Sequence, residues 1–180
     1  MFQLRAEVFA GRLGWQVELT SDGLERDAFD DLDEARYIIA TSTSDSVDAV
    51  WRLLPSTGPN MLRDTFPELL HGLPAPCAPD CWEMSRFAIA TGRLHSSEDA
   101  GNPQIGFGEM SIALMTAAWH FAQARGIARY VTVTTAAIER LLRRQGLNVH
   151  RLGPPIRIGS ELTVACFIEV DDITRRALGL

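Results

Sequence analysis

The chain has 180 residues, of which 46% are hydrophobic and 22% charged, the composition of one globular domain with a substantial core. Its formal net charge of -6 argues against a nucleic-acid binder, because phosphate binding normally needs a basic face. No apolar run is long enough to span a membrane and no signal peptide opens the chain, so a cytoplasmic protein without a membrane anchor is expected.

The N-terminal half is predicted to hold one helix and a set of strands. Val8 and Leu13 belong to an apolar set near helical spacing, which predicts an amphipathic helix over residues 2–15, and the acid-rich stretch 20–34 is expected to be a surface loop. Three runs have the composition of strands, and they cover residues 36–42, 47–54 and 82–90. The first two are expected to form a hairpin, and short helical turns are expected between residues 61 and 70.

The C-terminal half alternates helices and strands. A long helix is predicted over residues 106–124, with Met110, Leu114 and Phe121 on its apolar stripe, and a second helix over 135–145. Strands are predicted over residues 127–134, 149–152 and 162–170, before a short terminal helix. The whole pattern predicts an α/β fold in one domain over residues 1–180, with a mixed, mostly antiparallel central sheet and helices on both faces.

Two strand-like segments carry charges inside apolar runs. They are Val50-Trp51-Arg52-Leu53-Leu54-Pro55 and Trp82-Glu83-Met84-Ser85-Arg86-Phe87. Because side chains alternate along a strand, the second segment is predicted to place Trp82, Met84 and Arg86 on one face and Glu83, Ser85 and Phe87 on the other. Burying an unpaired charge is costly, so Arg52, Glu83 and Arg86 need partners or a ligand, which indicates a site.

Three further segments fit either a ligand or a plain structural role. The Gln104-Ile105-Gly106-Phe107-Gly108 turn could present amides to a phosphate, although it is one residue short of a coenzyme A pyrophosphate loop, and its glycines fit a simple turn equally well. Asp27 and Asp30 around Phe29 suit a cationic ligand or a solvated loop. A positive patch for an acidic partner, or a solubilising surface, would comprise Arg129, Arg140, Arg143, Arg144, Arg151 and Arg157.

The three cysteines are too few and too irregularly spaced for a disulfide framework. Cys77 and Cys81 could supply two zinc ligands, with His71 or His95 completing a set. The neighbouring prolines and the lack of a second cysteine pair favour loop thiols instead. No metal site is therefore expected.

Taken in order, these segments resemble the acyl-homoserine-lactone synthase family, the autoinducer synthases of bacterial quorum sensing. The resemblance starts with Arg5-Ala6-Glu7-Val8-Phe9 and Arg12-Leu13-Gly14-Trp15, and continues through Glu25, Asp27, Phe29 and Asp30. It includes both charged strand segments, together with Gly58-Pro59, Met61-Leu62, Phe66-Pro67 and Leu69. The second half adds Glu139-Arg140-Leu141-Leu142-Arg143-Arg144, so the resemblance covers essentially the whole chain.

The resemblance implies a fold similar to that of the GCN5-related acetyltransferases, in which two central strands splay apart and form a cleft. It also implies an acyltransferase that moves an acyl chain from acyl carrier protein to the amine of S-adenosylmethionine. The product is then closed to a lactone, and methylthioadenosine is released. S-adenosylmethionine is a substrate in this reaction, and no cofactor is expected.

The residues that match the family's invariant set are implied to form the site. On the S-adenosylmethionine side they are Arg5, Phe9, Trp15, Asp27, Asp30, Arg52 and Phe66. Such acids, aromatic faces and arginines suit a ligand that carries a sulfonium, an ammonium and a carboxylate, but some can instead pair with one another and order the N-terminal region. Glu83 is the expected general base, Arg86 orients Glu83 or the substrate, and Ser85 lies near the acyl group.

The acyl donor is expected to use two further regions. Candidates for an apolar acyl tunnel are Met84, Met110, Leu114, Val131 and Val133, for which an ordinary core is the other interpretation. The carrier protein is expected to dock on Arg129, Arg143, Arg144, Arg151 and Arg157, with its phosphopantetheine arm reaching toward Gly106 and Gly108.

The family usually has about a helix length of chain before the position of Arg5. A smaller or truncated N-terminal cover over S-adenosylmethionine is therefore expected here. Two other functions fit the same fold. An acetyl-coenzyme A N-acetyltransferase would need a full pyrophosphate loop, and a non-catalytic relative would bind S-adenosylmethionine without turnover.

Overall fold

The computed structural model describes residues 1–41, 46–91 and 108–180. The helices are α1 (Phe2–Ala6), α2 (Met61–Asp64), α3 (Glu109–Arg125), α4 (Ala136–Arg144) and α5 (Asp172–Ala177). The strands are β1 (Arg36–Thr41), β2 (Val47–Pro55), β3 (Cys81–Ile89), β4 (Arg129–Thr135), β5 (Val149–Arg151), β6 (Ile156–Ile158) and β7 (Glu161–Glu169). Short 3₁₀ turns cover Ala28–Asp31 and Pro67–Leu70.

The strands form one mixed sheet in the order β1-β2-β3-β4-β7-β5, and β6 also pairs with β7. β3 and β4 run parallel, whereas the other pairs in the described part of the chain are antiparallel. This arrangement confirms the predicted α/β class with a mostly antiparallel sheet. β6 was not predicted, because a three-residue strand is too short to show an alternating pattern.

The sheet opens between its two central strands. β3 and β4 pair only from Cys81 opposite Arg129 to Met84 opposite Thr132, although both strands continue beyond that point. β4 stays paired with β7 as far as Thr135, and β3 stays paired with β2 as far as Ile89. The facing edges therefore separate, which confirms the cleft implied by the family resemblance.

β3 contains a β-bulge that corrects the predicted distribution of its side chains. The β2–β3 register shifts between Val50, opposite Ala88, and Arg52, opposite Ser85, and Arg86 takes a left-handed φ of 57°. The extra residue reverses the alternation from Arg86 onward. Arg86 therefore joins the face of Glu83 and Ser85, while Phe87 joins that of Trp82 and Met84; the prediction had exchanged the two.

The two faces of the sheet carry different cores. On the helical face, defined by α3, α4 and α5, buried residues form one large cluster that includes Trp51, Leu53, Met84, Leu114, Leu142 and Ile168. On the opposite N-terminal face, α1 contributes Leu4 and Phe9 to a cluster with Val50 and Ala88. A second cluster on that face surrounds α2 and includes Leu62, Leu69, Cys81 and Val131. The polar side chains of Arg52, Glu83 and Arg86 lie between the two N-terminal-face clusters. Strand alternation places Arg52 and Glu83 on that face, and the bulge places Arg86 there.

The apolar stripe of α3 differs from the predicted one. Leu114 is buried as expected, but Met110 and Phe121 lie at the margin of the core, and the other buried positions are Ser111, Met115, Ala118 and Ala122. Apolar residues surround this helix, so the sequence did not define which side would face the sheet. None of the described helices is long and apolar enough to cross a membrane.

The predicted N-terminal helix begins as expected but ends early. α1 leads into a π-helical turn over Glu7–Arg12, in which the amide of Leu13 donates to the carbonyl of Val8 at 2.9 Å. The amide of Trp15 then donates to the carbonyl of Phe9 at 2.8 Å. π-helical turns are uncommon and frequently accompany functional sites. Here the turn ends at Arg12, and the hydrogen bond from the Trp15 amide holds Trp15 beside the end of the helix.

Candidate active site

Three arginines and three carboxylates meet on the N-terminal face and form a closed ion-pair ring. Arg5 comes from α1, Arg52 from β2 and Arg86 from the bulge in β3. The carboxylates come from the segment between the π-helical turn and β1. In order around the ring, the members are Arg5, Glu25, Arg86, Asp27, Arg52 and Asp30, which pairs with Arg5 again. The ring has no net charge when all six groups are ionised.

The hydrogen bonds of the ring are well defined. Arg5 donates to both oxygens of Asp30 at 2.8 Å and also to Glu25. Arg52 donates to Asp27 at 3.1 Å, to Asp30 at 2.9 Å and to the Ser85 hydroxyl at 3.1 Å. Bidentate guanidinium–carboxylate pairs of this kind fix orientation as well as charge.

Asp30 is the most connected carboxylate of the ring. Besides the two arginines, the Tyr37 hydroxyl and the Asp27 amide donate to it. Burial alone would raise the pKa of Asp30, but the hydrogen bonds from Arg5, Asp27 and Tyr37 and the charge of Arg52 lower that pKa below its usual range. Burial raises the pKa of Tyr37, and the hydrogen bond from its hydroxyl to the Asp30 carboxylate raises that pKa further.

The guanidinium groups of Arg5 and Arg52 are held permanently charged. Burial would lower each pKa, but hydrogen bonds to Asp30 and Glu25 raise that of Arg5, and the Asp27 pair raises that of Arg52. Neither side chain has measurable solvent exposure. In this arrangement both arginines fasten the N-terminal segment to the sheet, which was the alternative role foreseen for part of the set.

Glu83 lies beside the ring at the point where β3 leaves β4. Its two carboxylate oxygens accept hydrogen bonds from the amides of Met61 and Leu62 at the start of α2, at 3.0 and 2.7 Å. Burial raises the pKa of Glu83 above the ordinary glutamate value, although these two amides and the charge of Arg52 oppose the shift. A raised pKa on a carboxylate beside a cleft fits a group that takes up a proton.

Ser85 connects Glu83 to the ring, and Arg86 is a member of the ring on the same face of β3. The Arg86 guanidinium pairs with Glu25 at 3.0 Å and Asp27 at 2.8 Å, and it also contacts the Met61 sulfur at 3.3 Å. Ser85 receives the hydrogen bond from Arg52. The bulge allows Arg86 to reach Glu25 and Asp27, since an unbroken strand would have directed its side chain to the helical face.

The aromatic residues of the predicted S-adenosylmethionine set divide into two groups. Phe9 and Trp15 stack with their ring centroids 5.3 Å apart and their planes 3° apart, and the guanidinium of Arg86 lies 5.8 Å from the Phe9 centroid. Phe29 lies 5.5 Å from the Arg52 guanidinium. Phe66 instead packs against the cluster around α2. The structure therefore brings Phe9 and Trp15 to the ring, but it does not bring Phe66 there.

Part of this assembly is open to solvent. Trp15 is 46% exposed, and the side chains of Arg86 and Asp27 are 15% and 12% exposed, whereas those of Arg5, Arg52 and Asp30 are fully enclosed. The open edge combines a cation, a carboxylate and an aromatic face. A ligand that carries both charges could bind there without breaking the enclosed pairs.

The five predicted acyl-tunnel residues lie on different faces of the sheet. Met84, Leu114 and Met110 belong to the cluster on the helical face, while Val131 and Val133 belong to the cluster around α2. The β4 residues that face α3 are instead Tyr130 and Thr132, which alternate with the valines. The structure thus does not bring the predicted set together.

Each face has its own cavity. An open apolar groove of about 450 Å³ lies between the 70–76 segment and the β5–β7 edge, lined by residues that include Leu73, Pro74 and Phe167. A cavity of about 20 Å³ lies on the helical face, and its lining includes Trp51, Met84 and Tyr130. The smaller cavity is the one that adjoins the last β3–β4 pair, so it is the better placed to receive a group from the cleft.

The predicted docking arginines make contacts within the protein. Arg143 and Arg151 both pair with the buried carboxylate of Glu139, Arg129 pairs with Glu169 at 3.3 Å, and Arg157 donates to the Ser160 carbonyl at 3.0 Å. Burial would raise the pKa of Glu139, but Arg151 and Arg143 lower it. Arg144 is exposed on α4. Gly106 lies outside the described residues, and Gly108 directly precedes α3.

The candidate zinc ligands do not form a site within the described ranges. Cys77 is exposed, Cys81 is buried, and His95 lies outside the described residues. Burial raises the pKa of the Cys81 thiol to about 11, which disfavours the thiolate that zinc requires. No group of three metal-binding side chains occurs among the residues that the structure describes.

Four residues that contribute to the site were not among the predicted site residues. Glu25 closes the ring, Tyr37 holds Asp30, and the amides of Met61 and Leu62 hold Glu83. Glu25 and Met61-Leu62 stand within the segments that resemble the family, so the resemblance could have suggested them. Nothing in the sequence around Tyr37 indicated a role in the site, because the pattern of a strand does not show which loop its side chains will contact.

Comparison with known proteins gives one consistent family. The family model for autoinducer synthases matches residues 1–178. The acyl-homoserine-lactone synthase of Pseudomonas aeruginosa is 42% identical over 179 residues, which are 99% of this chain and 85% of that protein.

Solved structures agree with the sequence comparison. The crystal structure of the AHL synthase LasI has a TM-score of 0.83 and 40% identity, covering 99% of this chain and 85% of that chain. A CoA-dependent acyl-homoserine lactone synthase, BjaI, was solved with SAM and isopentyl-CoA. It has a TM-score of 0.83 and 26% identity, and the match covers 98% of this chain and 77% of that chain.

Proposed function

The chain belongs to the autoinducer synthase family, and from that premise we propose how its residues make a quorum-sensing signal. It is an acyltransferase of the acyl-homoserine-lactone synthase class. The observation that carries the residue assignments is the position of Glu83 and Arg86, which flank the point where β3 leaves β4 and adjoin the ion-pair ring.

S-adenosylmethionine binds at the open edge of the ring. The Asp27 carboxylate attracts its ammonium or sulfonium, the Arg86 guanidinium attracts its carboxylate, and the exposed face of Trp15 stacks against it. The partial exposure of all three side chains supports this assignment. Arg5, Arg52 and Asp30 act indirectly, because they hold the segment that carries Asp27 against β2 and β3.

Acyl transfer begins with loss of a proton from the substrate ammonium. Glu83 receives that proton through one water, since its carboxylate is enclosed, and its two amide bonds leave lone pairs that can still accept. The amine nitrogen then attacks the thioester carbon, and the bond between carbon and sulfur breaks. The sulfur leaves with the electron pair of that bond and takes up the second proton that the nitrogen loses. Backbone amides past Met84 and Thr132, where the two strands separate, stabilise the oxyanion.

Lactone formation needs positioning more than an added nucleophile. An oxygen of the substrate carboxylate attacks the γ-carbon of the methionine part, and the bond between that carbon and the sulfur breaks to release neutral methylthioadenosine. Arg86 orients the carboxylate for this attack, and the sulfonium provides a good leaving group.

The acyl donor is acyl carrier protein, and the reaction takes place in the cytoplasm. The exposed arginines of α4 on a chain with a net charge of -6 favour a local contact with an acidic partner. A coenzyme A thioester is the second candidate donor, because the similar synthase BjaI is CoA-dependent.

The test combines purified protein, S-adenosylmethionine and a series of acyl donors presented on carrier protein or on coenzyme A. Mass spectrometry should detect methylthioadenosine and an acyl-homoserine lactone in equal amounts. A faster reaction with the carrier-protein donor is expected. Folded protein that releases neither product with any donor would refute the proposed activity, and a preference for coenzyme A would refute the donor assignment alone.

A further inference from the structure

The small cavity on the helical face runs away from the cleft. It is bounded by Met84 at the last β3–β4 pair and extends past Tyr130 toward Ile168 and Leu178. Met115 and Trp119 line it from α3. Because these two residues are one helical turn, about 6 Å, apart, Trp119 lies farther from the cleft than Met115.

The cavity is too small for an acyl chain as it stands. Its volume of about 20 Å³ is close to the space of a single water. A chain that enters from the cleft must therefore displace part of the wall. The wall residue that moves should be the one whose displacement costs the least free energy.

Trp119 differs from the other large residues of the wall. The Tyr130 hydroxyl donates to the carbonyl of Ala118 at 2.8 Å, and Trp51 packs edge to face with Phe87 at 4.9 Å. The Nε1 atom of Trp119 is buried, yet it has no hydrogen-bond partner among the residues that the structure describes. Most buried indole groups find such a partner. Within residues 1–41, 46–91 and 108–180, only packing contacts hold the ring, so its displacement breaks no hydrogen bond to those residues.

We propose that Trp119 is the specificity-determining residue for acyl length, with its indole ring acting as the displaceable end wall of the acyl chamber. The inference rests on the proposed function, which brings an acyl thioester to the cleft beside Met84. In the parent protein the ring favours short and medium straight chains. A smaller side chain at position 119 extends the chamber toward α5 and shifts the preference to longer chains.

The experiment measures kcat/KM for a series of straight acyl donors of increasing length with the parent protein and Trp119→Ala. The ratio of long-chain to short-chain values should rise by about tenfold or more, since one methylene in an apolar pocket changes discrimination by about that factor. Trp119→Phe is the matched control, because it removes the N–H but keeps most of the bulk. Its length profile should stay close to that of the parent.

Two results would overturn the inference. One is an unchanged length profile in Trp119→Ala, and the other is an equal shift in Trp119→Phe, which would assign selectivity to the N–H instead of the bulk. Trp119→Leu replaces the alanine variant if the latter does not fold. Parent protein that releases no methylthioadenosine with any donor would refute the proposed function itself, whereas an active parent with an unshifted variant refutes only the role of Trp119.

Discussion

Glu83 serves both structure and chemistry through the same carboxylate. Its oxygens organise the start of α2, and its burial raises its pKa toward the range in which a carboxylate can exchange protons with an amine. Two amide donors without burial would have lowered the pKa instead. The enclosed position beside the cleft is therefore what makes this glutamate suitable as a base.

Glu83→Gln should lower turnover by about two to four orders of magnitude, the range expected for a lost general base. In the parent protein, kcat/KM should fall as pH drops through a pKa above the ordinary glutamate value, because protonated Glu83 cannot accept the substrate proton. The variant should lack that acidic limb. Rate measurements across pH test both effects.

Glu68→Gln is the control for this change, since Glu68 is an exposed glutamate near the same segment. It should retain the turnover and the pH profile of the parent. An unaltered acidic limb in Glu83→Gln would assign the limb to another group and remove Glu83 from the role of base.

Neighbouring aspartates offer a direct comparison between an enclosed pair and an exposed one. Asp30→Asn should reduce the free energy of unfolding by about 3 to 5 kcal/mol, because it leaves buried arginines without a full partner. Asp31→Asn breaks only the exposed pair with Arg26 and should cost less than about 1 kcal/mol. Urea unfolding followed by tryptophan fluorescence measures both, and similar losses would contradict the structural role of the ring.

The contribution of Asp30 also has a defined pH range. Its folded pKa is lowered, so its stabilising effect is fully present above the unfolded pKa of about 4 and is lost only as pH falls through the lower folded value. The difference in unfolding free energy between parent and Asp30→Asn should therefore persist from neutral pH down to about pH 4.

At the level of elements, the bulge in β3 is the feature that sequence reasoning could least foresee. The pattern of Trp82 to Phe87 fits an unbroken strand, and nothing in it marks Arg86 as left-handed. The prediction that Arg52, Glu83 and Arg86 would need partners was correct. Their distribution between faces depended on one extra residue whose backbone geometry is stabilised by contacts with Glu25 and Asp27, far away in sequence.

Other elements show the same division between local and distant causes. The start of α4 was predictable, because Thr135 caps it by accepting the Ile138 amide at 3.2 Å. The burial of the Glu139 side chain could not be predicted, since it depends on Arg151 from β5 as well as on Arg143. Short-range signals gave the elements, whereas the pairing of charges between elements required the folded chain.

α4 also offers the test of carrier-protein docking. Arg144→Glu should raise KM for an acyl group on carrier protein by roughly tenfold at low salt and less at high salt, because a reversed charge repels an acidic partner. KM for the same acyl group on coenzyme A should change little. Arg143 is a poor choice for this purpose, because its loss would also uncover the buried Glu139 carboxylate.

Arg176→Glu on α5 is the matched control, as it makes the same charge change at another exposed position. It should leave both KM values near those of the parent. Equal weakening by Arg144→Glu and Arg176→Glu would indicate a general effect of net charge, and it would contradict docking on α4.

At the level of the whole molecule, both tyrosines of the chain report on folding at alkaline pH. Burial raises the pKa of Tyr130 and, together with the Asp30 contact, that of Tyr37. Because both folded values lie above the unfolded value, the stability that they contribute is present below about pH 10 and is lost as pH rises toward the folded values.

Absorbance titration of tyrosinate tests this expectation. The folded protein should show little tyrosinate at pH 10, and the same protein in concentrated urea should titrate near the ordinary tyrosine pKa of about 10. Tyr37→Phe should remove one of the two delayed titrations. A folded protein that forms tyrosinate at the ordinary pKa would contradict the enclosure of Tyr37 and Tyr130.

The ion-pair ring also determines when the site can form as the chain folds. Arg52 and Arg86 become neighbours as soon as β2 and β3 pair, but Glu25 meets Arg86 across 61 positions of sequence. Contacts of such long range form late, because the entropy of closing the intervening loop must be overcome first. The segment that carries Arg5 and Glu25 leaves the ribosome before β3, but it can form these ion pairs only after β3 has been made. A partly folded chain would therefore lack the S-adenosylmethionine side, and substrate capture would begin only when folding is nearly complete.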